Sequence, residues 1–152
     1  MNNFNEEFLQ IANPIIKTNY YERLRAFIHH GRTSIYEHSV DVAYQCFLYA
    51  KKKKCRLKQL VIAALLHDYY LYDWHDKKKY NRKGLHGFTH PKTSVQNAIR
   101  DFNVSKDIQK IMISHMFPLT LFHIPTSKEG WVLSYYDKKC ALKETFKRKY
   151  YR

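Results

Sequence analysis

Apolar residues recur along this chain at intervals of three and four, the spacing that lines one face of an α-helix. Phe8, Leu9, Ala12 and Ile16 mark a helix over residues 4–16, interrupted by Pro14. Leu24, Phe27 and Ile28 predict a second over residues 19–29, with Gly31 as its stop. Ser34-Ile35-Tyr36-Glu37 is a capping box, in which serine and glutamate side chains satisfy the free amides of a helix start. The helix it opens should run to about Lys51, with Ile35, His38, Val42 and Cys46 on one stripe. The next apolar run predicts a helix over residues 60–68, in which Leu60, Ala63 and Ala64 precede His67 by seven, four and three positions. His67 therefore points where they point, inward. Thr93-Ser94-Val95-Gln96 can cap a further helix, with Val95, Ala98, Ile99 and Phe102 inward. Ser105 starts another, whose Ile108, Ile111 and Met112 precede His115 by seven, four and three, and which ends before Pro118. A last helix carries Trp131, Leu133, Ser134, Asp137, Cys140 and Ala141, with Asp137 between Leu133 and Ala141 on an inward face. With no internal repeat and no convincing strand alternation, the pattern predicts an all-α fold in one domain over residues 1–152.

Composition narrows the class. Hydrophobic residues make up 45% of the 152, as in a globular chain with a sizeable core. The apolar runs are short and broken by charge, which predicts no membrane span. Residues 1–7 lack the basic start and apolar centre of a signal peptide. Cys46, Cys55 and Cys140 are odd in number and without CxxC spacing, which fits reduced thiols and a cytoplasmic protein. A net charge of +14 favours anionic partners: phosphorylated metabolites, nucleic acid or an acidic surface. The run Lys51 to Lys54 falls at a helix end, where cations complement the dipole. The tail over residues 143–152 is basic and aromatic.

His38, His67, His115 and Asp137 each sit among apolar residues on a separate predicted helix, and Asp68 adjoins His67. Buried ionisable groups must be paired, hydrogen-bonded or metal-bound. Imidazoles and carboxylates delivered by separate helices are how bundles build metal sites. Mixed nitrogen and oxygen donors without cysteine suit iron, manganese, zinc or magnesium. The long polar connection from Tyr69 to Lys92 has the length and composition of a lid or binding loop.

The ordered series His38, His67-Asp68, His115, Asp137 resembles the HD superfamily of metal-dependent phosphohydrolases over residues 35–142. The resemblance implies an all-α bundle with a central metal site, in which His38, His67, Asp68 and Asp137 hold the first ion. In members with two metals it implies that Asp68 bridges to a second ion held by two more histidines. His90-Pro91 and Ile113-Ser114-His115 resemble the segments that supply them, so His90 and His115 are expected as ligands. His86 is the rival for the His90 role; Gly87 argues against a helix that would bring both to one site, and His86 is taken either as a support behind the ligands or as a substrate contact. Iron or manganese stands ahead of zinc or magnesium.

Many hydrolytic relatives place a lysine three residues after the Asp of the pair, where this chain has Leu71. Phosphate contacts must then come from Lys138 or Lys139 beside Asp137, or from Arg82 and the lysines of residues 77–83. Tyr69, Tyr70, Tyr72 and Trp74 could stack a base or simply pack. The expected function is hydrolysis of a small phosphorylated metabolite, a nucleotide in the first instance, with Asp68, His86 and Lys138 handling substrate and water. The competing readings are an HD-type di-iron oxygenase and a basic nucleic-acid-binding module with a structural metal.

Overall fold

Ser34 is where the chain turns from extended to helical. Its side chain accepts from the Glu37 amide while Glu37 bonds back to the Ser34 amide, the reciprocal capping expected from the four residues. The helix it starts, α3 (Ile35–Lys52), buries Ile35, His38, Val42, Cys46 and Phe47 on one stripe. In the computed structural model residues 3–73 and 86–150 are described, apart from the side chains of 86–88 and 148–150. Trp74, Arg82 and the lysines of 77–83 lie outside the described residues, as does the His86 side chain.

Around α3 the described residues are all-α but for one small hairpin. Before it come α1 (Glu6–Ile16) and the single turn α2 (Asn19–Glu22). After it come α4 (Leu57–Leu66), α5 (His86–Phe102), α6 (Lys106–Ile113) and α7 (Lys128–Tyr150). The short apolar α4 is the centre, packed against α3 on one side and α6 on another, with α1 and α7 closing over it. Leu60, Val61, Ala63, Ala64, Leu65 and Leu66 are all fully buried, as a helix apolar all round must be. Pro14 lies within α1 rather than ending it.

Three expectations change. The helix over 19–29 stops at Glu22. A 3-10 turn over Arg23–Ala26 follows, then strand β1 (Ile28–His30), which pairs antiparallel with β2 (Thr33–Ser34). Gly31 is a hairpin turn with φ 61 rather than a helix stop, and aromatic and β-branched residues before it are weak helix formers. Ile28, expected inward, is exposed while His29 is buried. Second, α5 begins at His86, so Thr93 to Gln96 lie inside a helix and cap nothing; Thr93 bonds back to the Thr89 carbonyl instead. Gly87 is tolerated within that helix, at about 1 kcal/mol relative to alanine. The backbone thus sets His86 and His90 one helical turn apart. Third, the basic tail is helical as far as Tyr150, and Ile99 is exposed.

Tyr21 ties the first layer to the centre. Its buried hydroxyl donates to the Leu65 carbonyl at 2.7 Å, in the last turn of α4, where carbonyls lack helical partners. Tyr21→Phe leaves that oxygen unpaired in the core. It should lower unfolding free energy by about 1–2 kcal/mol in chemical denaturation, with unchanged helix content.

Candidate metal centre

The ends of two helices prepare the site. His67 follows the last residue of α4, and its Nδ1 donates to the Ala64 carbonyl at 2.6 Å. His115 lies just past α6 and repeats the device, Nδ1 donating to the Met112 carbonyl at 2.7 Å. Each ring caps a carbonyl of its own helix end, three residues back. The proton so committed leaves Nε2 as the free edge, aimed inward.

α3 and α7 contribute the facing groups. His38 Nε2 lies 3.0 Å from Asp137 Oδ1, and His67 Nε2 lies 3.2 Å from the same oxygen. Asp68 Oδ2 stands 3.2 Å from His67 Nε2 and 3.6 Å from His38 Nε2. Two ligands about 2.1 Å from one ion at ordinary coordination angles lie about 3.0–3.4 Å from each other, so the spacing suits a shared cation. These four residues form one group with donor atoms within 4.8 Å of one another, and Asp68, His90 and His115 form another. In the second group Asp68 Oδ1 is 3.0 Å from His90 Nε2 and 3.4 Å from His115 Nε2, and those two nitrogens are 2.9 Å apart. Although buried, Oδ1 receives no well-directed hydrogen bond from the described residues. Asp68 therefore turns one oxygen to each group, with His90 and His115 on the side away from His38. A buried carboxylate oxygen facing imidazole nitrogens in each group fits a divalent ion in each place.

The charges answer one another. Burial would raise the Asp68 and Asp137 carboxyls, but the surrounding imidazoles hold both well below the usual carboxylate range. Burial opposes charge on His38 too, yet the Asp137 and Glu144 carboxylates raise it to about 9. His67 is likewise raised against burial by Asp68 and Asp137, whereas burial lowers His115. Without metal, protons on His38 and His67 stand in for the missing cation.

Two contacts were not anticipated from the sequence. Glu144, within the expected basic tail, accepts from His38 Nδ1 at 2.9 Å and so aims Nε2 at the centre. It lies seven residues after Asp137, on the same face of α7, and that spacing was a usable signal. His29 Nε2 is 2.7 Å from Asp68 Oδ2, and its ring stacks on His38 at 4.1 Å. Burial, then His38, lowers the His29 pKa to about 4.

Other candidates fall elsewhere. Lys138 Nζ donates to the His115 carbonyl at 2.9 Å, to Ser134 Oγ at 2.7 Å and to the Ser134 carbonyl at 3.3 Å, so all three of its protons are engaged. Lys139 is exposed, beside Tyr135 and Tyr136. Tyr69 and Tyr70 are fully buried, and the Tyr69 hydroxyl donates to Asp101, which leaves no face for a base.

The His38 shift gives a pH signature for chelator-treated protein. A folded-state pKa of about 9, above the ordinary 6.5, stabilises the fold below pH 6.5, and that stability is lost as pH rises through 9. The melting temperature of stripped protein should fall across this window. Added divalent ion should flatten the fall by replacing the proton.

No curated protein and no solved structure matches the chain. The family model of the HD domain matches residues 35–142, more than half of the chain and the stretch that holds His38, His67, Asp68, His90, His115 and Asp137, though not His29. That family has a metal-dependent hydrolase-type fold, its members typically phosphohydrolases, and buried His/Asp groups that could hold metal are what this structure builds. The chain belongs to the HD domain family.

Proposed function

We propose that this protein is a metal-dependent phosphohydrolase acting on a small phosphorylated metabolite, a nucleotide in the first instance. The observation that carries the reading is the division of Asp68, one oxygen facing the His38, His67 and Asp137 group and the other facing His90 and His115. His38, His67, Asp68 and Asp137 would hold one divalent ion, and Asp68, His90 and His115 a second. Such a pair, when bound, acidifies a coordinated water and polarises a phosphoryl group.

The chain's own residues supply the rest. Burial of every donor keeps bulk water from competing with substrate and strengthens each charge interaction. The net charge of +14 favours anionic partners for the protein as a whole. Lys138, with its protons engaged, supports the reading by fixing the turn that carries His115 rather than by holding phosphate itself. His86, a helical turn before His90, is retained as a substrate contact. Iron or manganese is kept ahead of zinc or magnesium from the family resemblance; the mixed imidazole and carboxylate donors would accept any of the four.

A di-iron oxygenase is the second reading; one feature weakens the hydrolase case without positively supporting oxygenase chemistry. Half-buried Leu71 occupies the place of the phosphate-holding lysine of many hydrolases. Phosphate release and oxygen uptake, assayed across nucleotides and sugar phosphates with iron, manganese, magnesium or zinc, separate the two. Asp68→Ala should abolish phosphate release and strip metal, because it removes a carboxylate from both donor groups. Release at the wild-type rate would overturn the proposal, and oxygen uptake without release would favour the second reading.

A further inference from the structure

We propose that His29 is a positioning residue that keeps Asp68 divided between the two donor groups, and is thereby required for the second ion. The inference rests on the two-ion reading above. Its basis is the hairpin that interrupts an otherwise helical chain. Ile28 pairs with Ser34 and His30 with Thr33, so β1 carries one residue more than β2 across the same interval. His29 is that extra residue. A bulge of this kind bends the strand and re-aims the bulged side chain, and such bulges gather beside active sites. Here it sends a buried imidazole into the centre between exposed Ile28 and half-buried His30.

His29 makes the shortest contact to Asp68 among the described residues, Nε2 to Oδ2 at 2.7 Å. The ring cannot drift, because it lies flat on His38 with an interplanar angle of 10° and meets His30 edge-on at 4.0 Å. It stands outside the four-residue group but shares a third group with His38 and Glu144. There His38 Nδ1 already donates to Glu144, so the His29 Nε2–H is directed to Asp68 Oδ2. A carboxylate can turn about its Cβ–Cγ bond and place both oxygens on one ion. A donor fixed on Oδ2 opposes that turn and keeps Oδ1 directed at His90 and His115. Among the described residues Asp68 is the only carboxylate in the second group, whereas the first also has Asp137. Loss of His29 should therefore fall on the second ion and largely spare the first.

The test is titration of Mn(II) into chelator-stripped full-length protein, read by calorimetry and by the electron paramagnetic resonance of coupled versus isolated ions. Wild type should take up two equivalents. His29→Asn, too short to reach Oδ2, should keep the first equivalent and weaken the second by about 10–100-fold. His29→Gln, whose amide nitrogen can stand where Nε2 stands, should recover most of the loss. Far-UV circular dichroism of the stripped proteins confirms that each variant is folded. Two equivalents at wild-type affinities in His29→Asn would overturn the inference, as would equal weakening of both, which would make His29 a ligand or a purely structural residue. A wild-type protein that takes up a single ion would overturn the two-ion reading itself.

Discussion

The fold is built around a buried carboxylate. Asp68 has five imidazoles within 3.6 Å among the described residues, from His29, His38, His67, His90 and His115. Burying a charge costs several kcal/mol unless partners replace the lost water. Those partners come from β1, α3, the end of α4, α5 and the turn after α6, so the arrangement needs most of the chain at once. The apolar α4 is the element that sets Asp68 at the middle, since every neighbouring helix must pack on it.

Helix termination and metal chemistry use the same atoms here. An α-helix ends with carbonyls that lack partners, and His67 and His115 each supply a ring N–H to one of them. That bond selects the tautomer that turns a lone pair inward. Glu144 does the same for His38 with a carboxylate, and Lys138 anchors the turn carrying His115. The centre is thereby preorganised before any cation arrives, at the cost of facing lone pairs and negative oxygens towards one another. The raised affinity of His38 and His67 for protons is the measure of that unmet positive charge.

How much of this was legible in the sequence follows the range of the signal. His38, His67, His115 and Asp137 were readable because helical periodicity assigns a direction to every third or fourth residue, and a capping box fixed the phase for His38. His90 needed the resemblance to a family, since periodicity placed it in a connection rather than inside α5. His29 was not readable: the residues before Gly31 looked like a helix end, and only pairing with Thr33 and Ser34 creates the bulge that turns it inward. Glu144 was hidden by its basic surroundings, although its seven-residue spacing from Asp137 carried the information. Local periodicity reveals which face a residue occupies. It does not reveal a hairpin register.

The most direct test of the centre is anomalous X-ray scattering from crystals grown with Mn(II), recorded on both sides of the manganese edge. The account predicts two peaks flanking Asp68, one against His38, His67 and Asp137 and the other against His90 and His115. Peaks elsewhere, or none at these donors with the metal in excess, would contradict it.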